Sequence, residues 1–155
     1  MNKVFETLLP TKADNTIRGT KFPFYVFTLI AIISTVRSFI HLLAPDGGAG
    51  TIAGMDLSVI GADGVIFAFA LWGSAQLTYA LTQWLVIFRY RSLVPFMWAV
   101  QFLETLLREF VGHTRLVTFA HTPPGEVENY VYLPLAVLML MLSLWSANKQ
   151  AEKAK

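Results

Sequence analysis

The chain has 155 residues, enough for one domain and not two. Hydrophobic residues make up 55% of it and charged residues only 14%, against about 25% charged in an average soluble protein, so lipid and not water is the expected outer solvent. The net charge of +2 sits around apolar segments and forms no basic stripe, which argues against nucleic acid as a partner, and the absence of cysteine excludes disulfides, iron–sulfur clusters and thiolate zinc sites.

The expected architecture is all-α: a polytopic four-helix membrane bundle in a single transmembrane domain. Residues 1–21 form a cytoplasmic or interfacial N-terminal segment. Val4, Phe5, Leu8 and Leu9 fit one face of a short interfacial helix that Pro10 ends, with a frayed tail as the alternative. The first span is expected over 22–43, with Pro23 in its first turn. It starts late, runs long and carries Arg37, unlike a cleaved signal segment. A connection from Ala44 to Asp63 follows, and its Asp46-Gly47-Gly48-Ala49-Gly50 run reads as flexible. The second span covers 64–88. The tight Arg89-Tyr90-Arg91-Ser92 turn leads to the third span over 93–111, with Pro95 in its first turn. The connection from Gly112 to Asn129 contains Thr122-Pro123-Pro124-Gly125, read as a turn. The fourth span covers 130–145, with Pro134 near its start, and 146–155 form a cytoplasmic tail.

Orientation follows from the basic residues. Lys3, Lys12, Arg18, Lys21, Arg89, Arg91, Lys149, Lys153 and Lys155 fall on one side, and only Arg115 falls on the other. The bias predicts N-in and C-in, in a bacterial inner membrane.

Charged groups at membrane depth cost at least about 2.5–3.5 kcal/mol each on insertion scales, so each needs a reason. Ser34, Arg37, Ser38 and His41 share one face of the first span, Trp72, Gln76, Tyr79 and Gln83 one face of the second, and Gln101, Glu104 and Arg108 one face of the third. The fourth span offers almost nothing polar before Ser143. At 1.5 Å per residue both Arg37 and Arg108 lie about 22 Å from the inner boundary, and Glu104 about 16 Å from it. Glu104 and Arg108 are an i, i+4 pair, and Asp63 at the mouth of the second span is a candidate partner for Arg37.

The candidate ligand-binding set is therefore Arg37, His41, Gln76, Gln101, Glu104 and Arg108, around an outward-facing polar pocket between the first three spans. Two guanidinium groups suit a carboxylate, a phosphate or a quinone oxygen. The alternative is a charge-balanced network that only locks helices together. The three histidines are expected at or beyond the outer boundary. Glu109 and His113 have a spacing that can chelate a metal, but no histidine-rich motif accompanies them, so no metal site is assigned. No nucleotide-binding loop or nucleophile elbow is present, and the sequence leaves the cofactor unknown.

In size, four-span plan, an arginine in the first span and polar residues within the bundle, the chain resembles the DoxX-like group of small bacterial membrane proteins and related families of unknown function. The resemblance implies an accessory or quinone-linked role and transfers no site residue. Three functions are weighed. The first is a membrane protein binding an amphipathic anion, a lipid head group or a quinone. The second is a non-catalytic accessory subunit or assembly factor of a membrane complex. The third is a small membrane enzyme using Glu104 or His41 as acid–base. A transporter is less attractive, because no inverted repeat or broken helix pair is visible. The expected partners are membrane lipids and either a second copy of the chain or a larger membrane complex.

Overall fold

Pro23 and Pro95 each stand in the first turn of a long helix, where a missing N–H breaks no hydrogen bond. In the computed structural model, which describes residues 3–152, the order is α1 (Lys3–Leu8), α2 (Phe22–Leu43), α3 (Ala62–Arg89), a 3-10 turn (Arg91–Leu93), α4 (Val94–Thr114) and α5 (Pro124–Glu152). The described residues include no strand. Among the described residues, three helices are long and apolar enough to cross a membrane: α2, α3 and α5 over Pro124–Trp145. They mark the chain as an integral membrane protein. The fourth long helix, α4, has 21 residues but carries Glu104, Arg108 and Glu109.

Two helical hairpins make the bundle. α2 packs along α3, α4 packs along α5, and α2 also touches α4 and α5. The core lies where α2 meets the second hairpin and contains Phe27, Ile30, Ala31, Trp98, Ala136 and Met139. The ring of Phe27 meets Trp98 edge-on at 5.8 Å. Lipid tails are as apolar as leucine, so burial alone gives little preference for one helix partner over another and directed polar contacts matter more. Trp98 Nε1 donates to the Pro23 carbonyl at 3.2 Å, tying α4 to α2. Trp84 Nε1 donates to Thr35 Oγ1 at 2.9 Å, tying α3 to α2. Large apolar side chains such as Leu29, Val36, Phe67, Leu71 and Leu85 face outward, as lipid contact allows.

At the basic end, where α2 and α4 begin, the N-terminal segment is anchored. The short helix expected around Val4 and Leu8 forms as α1. Asp14 N donates to Ser92 Oγ at 2.9 Å, and Ser92 N and Oγ donate back to the Asp14 carbonyl at 3.2 and 3.0 Å. Arg18 reaches the Glu6 carbonyl at 3.1 Å and the Asp14 carboxylate at 3.5 Å. Of the expected segments at the chain ends, residues 1–2 and 153–155 lie outside the described residues.

The loop end departs from expectation in two ways. First, α5 begins at Pro124 rather than near Tyr130, because Pro124 and Glu126 open its first turn instead of closing a loop. Second, the glycine-rich stretch is ordered. The Asp46 carboxylate accepts from Gly48 N at 2.8 Å and Thr51 N at 2.7 Å, while Gly47, Gly48 and Ala49 are buried. Gly47, Gly48 and Gly54 supply the left-handed backbone that the consecutive turns need. Ala120 N donates to the Gly54 carbonyl at 2.9 Å, and a ring nitrogen of His121 lies 3.2 Å from the Ile52 carbonyl. The two loop-end connections thus form one cap.

These backbone donors push the Asp46 pKa down to about 2. A depressed carboxylate pKa stabilises above the unfolded value and loses that contribution as pH falls through the folded one. Limited proteolysis should therefore spare residues 46–54 at neutral pH and down to about pH 4, with protection fading toward pH 2. Asp46→Ala should open the segment at neutral pH. Rapid cleavage there in the unaltered chain would contradict an ordered cap.

Candidate functional site

Each long helix brings polar side chains to the same interior space, though not its whole polar stripe. On α2, Ser38 Oγ donates to the Ser34 carbonyl at 2.6 Å and so hides its own hydroxyl. Arg37 is left as the projecting charge. Its guanidinium forms an ion pair with Glu128 of α5, Oε2 facing Nη1. It also lies 5.3 Å from the centre of the Trp72 ring on α3, a cation–π distance. Arg37 Nε donates to His41 Nε2 at 3.3 Å.

His41 lies behind this arginine and does not line the cavity. Its Nδ1 is 2.7 Å from the Gly47 carbonyl. A carbonyl only accepts, so Nδ1 carries the proton and Nε2 is free to accept from Arg37. The ring packs 4.9 Å from Trp72 and 5.7 Å from Phe69. His41 is buried in the last turn of α2, because the cap folds over it. It thereby couples the cap to Arg37.

A second network crosses from α3 to α4. The Tyr79 hydroxyl donates to Gln101 Oε1 at 3.4 Å, and Gln101 Nε2 donates to Glu104 Oε2 at 3.3 Å. Arg108 grips the same carboxylate through Nε at 3.1 Å and Nη2 at 2.6 Å. This two-point geometry is the strong form of an arginine–carboxylate pair.

Arg37, Arg108, Glu104 and Glu128 line one cavity of about 280 Å³, together with Gln76, Tyr79, Gln101 and Tyr132. Ile30, Ile33 and Ala75 give it apolar walls. The side chains of Arg37, Arg108 and Glu128 are about a quarter exposed, and that of Glu104 is 41% exposed. Gln76 Oε1 is buried and has no hydrogen-bond partner. Gln83, on the same stripe of α3, is fully buried with neither amide atom partnered, and it lies outside the cavity lining.

The structure brings Arg37, Gln76, Gln101, Glu104 and Arg108 together and corrects the surroundings expected for them. The pocket lies among four helices, not three, because α5 supplies Glu128 and Tyr132. Arg37 pairs with Glu128 rather than with Asp63. Asp63 is exposed in the first turn of α3, where the helix dipole favours an acid. His113 is exposed and turns its Nδ1 to the Glu109 carbonyl at 2.8 Å.

No protein-family model, curated protein or solved structure matches this chain. Its function is therefore argued from the geometry. The lining holds two arginines and two glutamates, so its formal charge sums to zero. Charged and amide groups share the lining with Ile30, Ile33, Ala75 and Trp72, a mixture of apolar wall and a few polar groups that can orient a ligand with a polar head.

Proposed function

We propose that the chain is a four-span membrane protein that holds the polar head of an amphipathic ligand between α2, α3, α4 and α5. α4 acts as the fourth span, because Glu104 and Arg108 are paired with each other and line the cavity. The basic end is cytoplasmic, by the distribution of lysine and arginine, which gives N-in and C-in in a bacterial inner membrane. The cavity then lies toward the outer half of the bilayer, within reach of lipid head groups and quinones. A quinone ligand would accord with the DoxX-like resemblance.

The observation that carries this reading is the Arg108–Glu104 pair. A lock between helices needs partners on different helices. Arg37–Glu128 meets that condition, since it ties α2 to α5, and it favours a structural role for that pair alone, as in an accessory subunit. Arg108 and Glu104 both belong to α4, so their ion pair itself crosses no helix boundary, and only the neutral Tyr79–Gln101 contact carries their network to α3. What the pair does is present a guanidinium and a carboxylate to an open space. An acid–base role is less well served. Both ring nitrogens of His41 are engaged, and both Glu104 oxygens are held by donors.

Native mass spectrometry of the purified protein, with lipid extraction, tests the proposal. A bound amphiphile should survive gentle detergent exchange, and the double change Glu104→Leu with Arg108→Leu should abolish it while the chain stays folded. An unaltered protein that holds nothing after lipid is added back would sink the binding reading. Orientation has its own check: a reporter fused after Lys155 should be cytoplasmic, and a periplasmic signal would reverse every statement about inner and outer.

A further inference from the structure

Resting on that binding reading, we infer that the ligand's head group is a zwitterion carrying both an anionic oxygen group and a primary ammonium, the chemistry of phosphoethanolamine. Three observations converge on it.

The first is charge balance. Arg37 with Glu128 and Arg108 with Glu104 leave no uncompensated charge in the lining. A simple anion entering this space would make the total negative where water is scarce, which burial opposes. A zwitterion leaves the total at zero. It can also exchange partners with the protein, its anionic group taking a guanidinium while its ammonium takes a carboxylate. A neutral ligand can replace neither charge.

The second is the vacant acceptor. Gln76 lines the cavity, and its Oε1 is buried without a hydrogen-bond partner. A buried carbonyl oxygen calls for a donor. A primary ammonium has N–H groups to give, whereas a quaternary ammonium has none and an oxidised quinone has only acceptors. The Glu104 carboxylate, the most exposed of the four charged groups, is the second acceptor within the same wall.

The third is size. About 280 Å³ falls just below the roughly 300–1,000 Å³ typical of ligand sites. That suits a head group whose chains lie outside in lipid better than an entire amphiphile.

The test offers the full-length protein equal amounts of phosphatidylethanolamine, phosphatidylcholine and phosphatidylglycerol in mixed micelles, and separately offers soluble phosphoethanolamine. Retained species are counted by native mass spectrometry. Phosphatidylethanolamine should be retained over both other lipids by about ten-fold or more, the worth of one charge-assisted hydrogen bond. Gln76→Leu should reduce it to the phosphatidylcholine level. Glu104→Gln keeps the side chain's shape but leaves the lining with one excess positive charge, and should shift the preference to phosphatidylglycerol. Binding of soluble phosphoethanolamine without any lipid supports the same chemistry and makes the source a free metabolite. Equal retention of phosphatidylethanolamine and phosphatidylcholine, or preference of the unaltered protein for phosphatidylglycerol, overturns the zwitterion inference and leaves the binding reading intact. Retention of nothing, lipid or soluble, defeats the binding reading itself.

Discussion

Arg37→Leu is expected to lower the thermal stability of the protein markedly, and adding Glu128→Leu is expected to restore most of the loss. The single change leaves Glu128 without the ion pair that joins α5 to α2 and removes a cation from above Trp72. Breaking a buried pair from one side costs about 3–5 kcal/mol when both groups are sealed in. Here the two side chains are 23% and 25% exposed, so a loss of about 2 kcal/mol is the appropriate scale. The double variant has no orphan charge, and two leucines suit an apolar wall, so it should melt within about 1 kcal/mol of the original. Arg108→Leu should be milder on stability, because its partner is on its own helix and helix-internal pairs contribute only a few tenths of a kcal/mol when exposed. Melting curves in one detergent decide the matter. If Arg37→Leu and its double variant melt together, far below the original, the ion pair is not the source of the effect.

Much of this site was legible from residue spacing. Arg37, Gln76, Gln101, Glu104 and Arg108 recur at three- and four-residue intervals on separate helices, and a helix turns such spacings into a single stripe. Depth counted along each apolar run then put the two arginines level with each other. Glu128 was missed for a local reason. Thr122-Pro123-Pro124-Gly125 has the composition of a turn, yet proline is also favoured at the first helical position and an acid in the first turn, and Pro124 with Glu126 meets both conditions. Reading that signal would have moved Glu128 into the helix and toward Arg37. Gly125 leaves the room this needs, since a Cβ there would come within 3.0 Å of Arg37 Nη2.

The cap was misread on similar grounds. Glycine content suggests freedom, but Asp46 two residues before Gly48 is an Asx-turn signal, and its carboxylate organises the backbone that follows. Nothing in the sequence indicated that His41 would bond Gly47 across that turn. That contact depends on where the chain returns after leaving α2, which is a tertiary fact. It gives the site a back wall, running from the cap through His41 to Arg37.

Gly73 provides the largest expected effect on that wall. A Cβ at this position would lie 2.7 Å from Leu42 N and 2.8 Å from the carbonyl carbon and Cβ of His41. Two of these are backbone atoms, so no rotamer change relieves the clash, and α2 must move away from α3. Gly73→Ala should cost about 1–3 kcal/mol, the range for an overpacked methyl, and Gly73→Val more. The strain falls beside Trp72, whose ring contacts both His41 and Arg37, so any bound ligand should be lost with it. Gly64 is the matched control. It belongs to the same helix, and a Cβ there meets nothing within 4 Å. Gly64→Ala should be neutral or stabilising by up to about 1 kcal/mol, the helix preference of alanine over glycine. Melting temperature and ligand retention, measured on both variants in the same detergent, read the two effects together. A harmless Gly73→Ala would mean that α2 and α3 do not approach this closely, and the wall formed by His41, Trp72 and Arg37 would have to be redrawn.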